Sequence, residues 1–187
     1  ACAASRGTSP RSSPRPRPTL FNWLQAEVAG ARCLDVFAGS GALGFEAASR
    51  GAASVVMIER DRAAIAALQA TSKKLSATQV SVVACDALTW LRQPATTSFD
   101  LVFVDPPFAA NIHQQVMEAL IPWLTPRALV YVEAARDHVL PRWPGFEVRR
   151  EGNTRDVHYE LLQHVALHPA GETPVTLAPS SGYEPAN

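Results

Sequence analysis

Short apolar runs alternate along the chain with stretches whose apolar residues recur at helical spacing, and this alternation predicts the elements. Leu20, Trp23, Leu24 and Val28 share one helical face and predict a helix over 19–29. Residues 32–37 read as a short buried strand, followed by a glycine-rich turn from Gly39 to Gly44 and a helix to Arg50, where Gly51 ends it. A second strand follows over 54–59, and Asp61 caps an alanine-rich helix running to 75. Residues 80–85 form a third strand, 86–91 a short helix and 99–105 a fourth strand. Pro106 and Pro107 forbid its continuation as strand or helix. Beyond them the pattern predicts a helix over 111–123 and strands over 127–134, 145–151 and 156–164. Regular alternation of strand and helix implies an α/β fold: a doubly wound, mostly parallel, seven-stranded Rossmann-like sheet with helices on both faces.

Composition refines the boundaries of this domain. Residues 1–18 are rich in Pro, Ser and Arg without apolar periodicity and are expected to be a flexible basic arm. Residues 168–187 have a similar character and are expected to be a disordered tail, leaving 19–167 as one domain. No stretch approaches the roughly 18 consecutive apolar residues of a membrane span, and the arm lacks the apolar segment of a signal peptide. No membrane partner and a cytoplasmic location are therefore expected. Cys2, Cys33 and Cys85 are odd in number and lack CxxC spacing, which argues against a disulfide framework or a zinc site. Cys33 and Cys85 are expected in the core, and no metal is expected. The formal net charge is zero, although the arm holds four arginines and no acid. That asymmetry suits an RNA partner and equally a solvated arm.

In doubly wound sheets, ligands bind beyond the carboxyl ends of the strands, where the strand order reverses. The chemically distinctive residues fall at those ends. Gly39-Ser40-Gly41-Ala42-Leu43-Gly44 fits GxGxxG, and Glu59 lies where an acid would hold two ribose hydroxyls. The pattern by itself serves a nicotinamide dinucleotide as well as S-adenosylmethionine. Two features separate them. Asp35 precedes the loop and residues 35–41 contain no basic group, which disfavours a pyrophosphate and favours a cationic sulfonium ligand. Asp86, at the end of the third strand, can accept from an adenine amine beside the backbone of Ala87, and can also cap the following helix.

Asp105-Pro106-Pro107-Phe108 is the strongest chemical signal. An exocyclic base amine is a weak nucleophile because its lone pair is delocalised into the ring. It must be aligned with the methyl donor and polarised. The Asp105 carboxylate and the Pro106 carbonyl offer acceptors for its two protons, and Phe108 offers a face for a flipped base. An acceptor that only orients the amine and one that also takes its proton look identical in sequence.

The segments DVFAGSGALGFEA, VVMIERD and FDLVFVDPPF, with Leu20-Phe-Asn-Trp-Leu24 ahead of them, resemble the RsmD family of bacterial methyltransferases. The resemblance implies a class I S-adenosylmethionine-dependent fold and transfer to the N2 amine of one guanine in 16S ribosomal RNA. The partner would be the 30S subunit or an assembly intermediate; a monomer is expected by default, since nothing in the sequence bears on oligomeric state. It implies that Asp35, Phe37, Gly39, Gly41, Glu59, Asp86 and Ala87 line the cofactor pocket, and that Asp105, Pro106 and Phe108 hold the guanine. One departure is visible: Arg17-Pro18-Thr19 joins Leu20 directly, where the family has a polar, arginine-containing segment preceded by a basic hairpin. The alternatives are an amino-methyltransferase for DNA adenine or another RNA, a nicotinamide-dependent oxidoreductase that leaves Asp105–Phe108 without a task, and an RNA-binding scaffold without catalysis.

Overall fold

The computed structural model describes residues 17–107 and 112–165. The predicted arm therefore lies outside the described residues except at its end, and the predicted tail lies outside them altogether. In chain order the elements are α1 (Arg17–Trp23), β1 (Arg32–Asp35), α2 (Ala42–Ser49), β2 (Ser54–Glu59), α3 (Arg62–Lys74), β3 (Val80–Ala84), α4 (Ala87–Leu91), β4 (Phe99–Val104), α5 (His113–Leu120), β5 (Leu124–Ala135), β6 (Phe146–Asn153) and β7 (Val157–His164). The strands form a seven-stranded sheet in the order β3-β2-β1-β4-β5-β7-β6. Strands β1 to β5 pair in parallel, whereas β7 is antiparallel to both β5 and β6. The strand order reverses between β1 and β4, which puts the expected ligand position at the carboxyl ends of those two strands.

The two faces bury separate apolar layers. Phe21 and Leu24 near α1, Ala47 of α2 and Leu68 of α3 cover Cys33, Met57, Phe103 and Tyr131 on one face. Val116 and Leu120 of α5, with Trp123, cover Leu34, Val102, Val104 and Val130 on the other. Alternate residues of β1, β4 and β5 thus point into opposite layers, as the twofold period of a strand requires. Trp123 and Trp143 pack within the second layer, and each indole N–H finds an acceptor 2.9 Å away, the Leu91 carbonyl and Gln114 Oε1 respectively.

Several boundaries differ from those the pattern predicts, each for a local reason. The first helix begins at Arg17 and ends at Trp23. Leu24 and Val28 still reach the core, both at most 1% exposed, through turns bonded Leu24 N–H to Leu20 and Val28 N–H to Leu24. Helical spacing over 19–29 therefore marked one buried face and not one continuous helix. α5 gives way to a 3-10 turn over Ile121–Trp123, where Pro122 cannot donate to the α-helical pattern. β5 is longer than predicted and shifts register against β4 between Phe99 and Leu101, with Arg127 at φ 69. Among the described residues, no helix is long and apolar enough to cross a membrane.

Candidate active site

A cleft of about 690 Å³ opens at the carboxyl ends of β1, β2, β3 and β4. It gathers residues far apart in sequence: Phe37 and Gly39, Glu59 and Arg60, Asp86 and Ala87, then Asp105, Pro106 and Pro107. Phe108 lies outside the described residues.

The wall at β1 and β2 is built by backbone donors. Gly39 has φ +50 and its N–H donates to Glu59 Oε2 at 2.8 Å. Glu59 Oε1 accepts from the N–H groups of Arg60 and Asp61, both at 2.8 Å. Three main-chain donors thus hold one carboxylate at the cleft surface, and Oε2, which takes one donor where Oε1 takes two, retains acceptor capacity. At the end of β3, Asp86 Oδ1 accepts from Thr89 N–H at 3.1 Å and caps α4, while Oδ2 stands 3.6 Å from Arg60 Nη1. This ion pair is exposed, so its role is to place two side chains at the rim and not to stabilise the fold appreciably.

Asp35 and Gly41 stand behind the lining. Asp35 is 1% exposed, and its Oδ2 accepts from the N–H of Gly44 at 3.1 Å, tying the end of β1 to the first turn of α2. A carboxylate there also meets the positive end of the helix dipole. Gly41 has φ +74, and a Cβ on it would lie 2.5 Å from Leu68 Cδ2 and 2.7 Å from Phe45 Cε2. The left-handed backbone, with the Leu68 and Phe45 side chains in the space of a Cβ, favours glycine at this position independently of any ligand. Gly41→Ala is expected to destabilise the fold by about 1–3 kcal/mol through overpacking together with left-handed backbone strain. Thermal melting measures this directly, and an unchanged midpoint would contradict the packing account.

The cleft also includes residues that the strand-end motifs did not single out. Ile58, Cys85, Leu88 and Ile112 supply apolar surface, and Arg60 supplies the one basic group among its described lining residues. The expectation that Cys85 is core is corrected here: it is half-buried and lines the cleft, because β3 is the edge strand and is covered less completely than β1. Cys33 on β1 is fully buried, and burial foremost, with Asp100 and Asp35 adding to it, pushes its thiol up to about 12. It is a core residue with no thiolate chemistry near neutrality.

Glu59, Asp86 and Asp105 make the described lining acidic on balance, with Asp35 beneath it. Such a wall suits a ligand with cationic and hydroxyl groups and opposes a pyrophosphate. The family model described as conserved hypothetical protein 95 matches residues 3–163. A Haemophilus influenzae relative, ribosomal RNA small subunit methyltransferase D, is 39% identical over 165 residues, covering 86% of this chain and 85% of its own. The chain belongs to the RsmD family. A further RsmD relative, ribosomal RNA small subunit methyltransferase D of Escherichia coli (strain K12), is 42% identical over 155 residues, 81% of this chain and 78% of its own. The solved structure of yhhF from Escherichia coli superposes with a TM-score of 0.79 at 42% identity, covering 84% of this chain and 90% of that one. This RsmD-family chain accordingly has the class I S-adenosylmethionine-dependent methyltransferase fold.

Proposed function

We propose that this chain transfers a methyl group from S-adenosylmethionine to the exocyclic N2 amine of a guanine in 16S ribosomal RNA. The observation that carries this reading is the position of Asp105 and Pro106. They stand at the carboxyl end of β4, on the same cleft as the Glu59 and Asp86 walls. Supporting it, the relatives in the family are named as ribosomal RNA small subunit methyltransferases.

The residues present fit the cofactor. Glu59, already oriented by three backbone donors, has acceptor capacity left on Oε2 for a ribose hydroxyl. Asp86 and the first-turn backbone of α4 at Ala87 suit an adenine edge, with Ile58 and Leu88 offering apolar surface to its ring. Gly39 lets the main chain approach the ligand closely, and Asp35 places negative charge behind the loop. When bound, S-adenosylmethionine supplies an electrophilic methyl group on a positively charged sulfur.

The chain's contribution to the reaction is positioning. The Asp105 carboxylate accepts a hydrogen bond from one amine N–H and the Pro106 carbonyl from the other, so the nitrogen lone pair turns toward the methyl group and gains electron density. Phe108, by its place in the motif, stacks on the flipped base. The reaction needs neither a metal nor a covalent intermediate. The substrate is the 30S subunit or an assembly intermediate, and the enzyme works as a cytoplasmic monomer.

The test is incubation with labelled S-adenosylmethionine and 30S particles from cells lacking this modification, followed by digestion of the RNA to nucleosides. Labelled N2-methylguanosine at one position is the expected result. Label in duplex DNA but not in the particles would move the assignment to a DNA amino-methyltransferase. Affinity for a nicotinamide dinucleotide without affinity for S-adenosylmethionine would overturn the reaction class.

A further inference from the structure

The carboxyl end of β4 stops at two prolines, and the stop leaves a gap in the hydrogen-bond ladder. Val36 N–H donates to the Phe103 carbonyl at 3.0 Å, so the backbone polar groups of Phe103 face β1. Those of Val104, and of position 106 two residues on, then face β5. Val104 lies opposite Val132. By that register, the N–H at position 106 is the ladder donor for the Glu133 carbonyl. Position 106 is a proline, which has no N–H.

His113, the first residue of α5, fills the gap. Its Nε2 lies 2.8 Å from the Glu133 carbonyl oxygen. The ring is 6% exposed and stacks on His138, from the connection after β5, with centroids 5.4 Å apart and planes 24° apart. Burial holds the ring below the usual imidazole range; the contact with Glu133 opposes this and His138 reinforces it. A neutral imidazole carries one N–H, and a carbonyl can only accept, so the proton sits on Nε2. Nδ1 is then a bare acceptor, and it has no hydrogen-bond partner among the described residues. The Glu133 carboxylate is engaged separately, accepting from the Tyr131 hydroxyl at 3.0 Å.

We propose that His113 is a positioning residue for methyl transfer: it donates to the Glu133 carbonyl in place of Pro106 and so ties the start of α5 to the sheet. Both ends of the segment between β4 and α5 are thereby anchored, one by the strand and one by the imidazole. Asp105 and Pro106 lie at the first end, so any slack at the second is felt where the amine must be aligned. This rests on the role given above to Asp105 and Pro106.

Two measurements test the proposal. Nitrogen-15 NMR of the full chain labelled at histidine reads the tautomer directly, with no substrate present. A neutral His113 protonated on Nε2 near neutral pH is expected; a neutral ring with its proton on Nδ1, which leaves Nε2 unable to donate, overturns the proposal. The second measurement compares His113→Gln, whose amide nitrogen reaches the place of Nε2, with His113→Asn, which is too short, and with His113→Phe, which keeps the ring and loses the donor. Turnover on 30S particles should fall about 10- to 100-fold for Asn and Phe, with cofactor affinity unchanged, and Gln should restore most of it. If the Phe variant does not fold, the comparison of Gln with Asn decides. Folded Gln and Asn variants with equal turnover would refute the positioning role. A wild-type chain that methylates no RNA would instead refute the functional reading, and the tautomer measurement would still decide which nitrogen donates.

Discussion

Asp105→Ala is expected to lower turnover by about 10²- to 10⁴-fold while leaving the affinity for S-adenosylmethionine unchanged. The carboxylate stands at the end of β4, and the bonds from Gly39, Arg60 and Asp61 that hold Glu59 do not involve it. Its removal takes away one of two acceptors for the amine and leaves the cofactor wall intact. Asp105→Asn separates two chemical roles. An amide keeps a carbonyl acceptor in the same place but cannot take up a proton. If orientation is the whole contribution, Asn retains much of the rate; if Asp105 also receives the proton, Asn is as slow as Ala. Single-turnover transfer to 30S particles, with calorimetry for cofactor affinity, measures both. Normal turnover by the Ala variant would remove Asp105 from the mechanism.

Glu59 predicts the opposite partition between binding and turnover. Its two oxygens have unequal duties: Oε2 accepts from Gly39, and Oε1 accepts from both Arg60 and Asp61. In Glu59→Gln, one oxygen can keep the pair of donors, but the amide NH₂ then faces the Gly39 N–H, donor against donor. Hydrogen bonds involving a charged group contribute about 1.5–3 kcal/mol each, which corresponds to about 10- to 100-fold in affinity. Cofactor affinity should therefore fall by that factor in the Gln variant and by at least as much in the Ala variant. Turnover at saturating cofactor should be largely retained, because the amine acceptors are untouched. Calorimetric titration with S-adenosylmethionine distinguishes the cases. Wild-type affinity in Glu59→Gln would mean that the Gly39 contact does not shape the binding site.

Both variants probe residues at strand ends, and the reason these could be found in the sequence is local. A buried parallel strand is a short apolar run, so the polar residue that ends it, Glu59 or Asp105, is conspicuous. Two consecutive prolines stop a strand whatever surrounds them, and a glycine-rich turn after an apolar run announces a close backbone approach. Strand order is less local, yet regular strand-helix alternation and right-handed crossovers leave few parallel arrangements. The parallel half of the sheet and the cleft at its carboxyl edge are therefore legible in the sequence.

What depended on distant residues was not legible. The reach of α1 is one case: the spacing of Leu20, Leu24 and Val28 is satisfied by a helix followed by turns, and periodicity does not distinguish these. The placement of β7 between β5 and β6 is another, since two successive strands can add to a sheet edge in either order. Gly41 reads as a glycine of a ligand loop, and only the tertiary structure adds that Leu68 of α3 lies where its Cβ would be. His113 shows the limit most clearly. Its sequence context marks nothing more than the start of a helix. Its acceptor is the carbonyl of Glu133, 20 residues away, left without a ladder donor by a proline two residues past the end of β4. Composition, periodicity and turn chemistry thus determined the fold class and the residues at the strand ends, because each acts within a few positions along the chain. Pairing register, Cβ clearance and the partners of buried polar groups were decided only in the tertiary structure, because each depends on which segments are brought side by side.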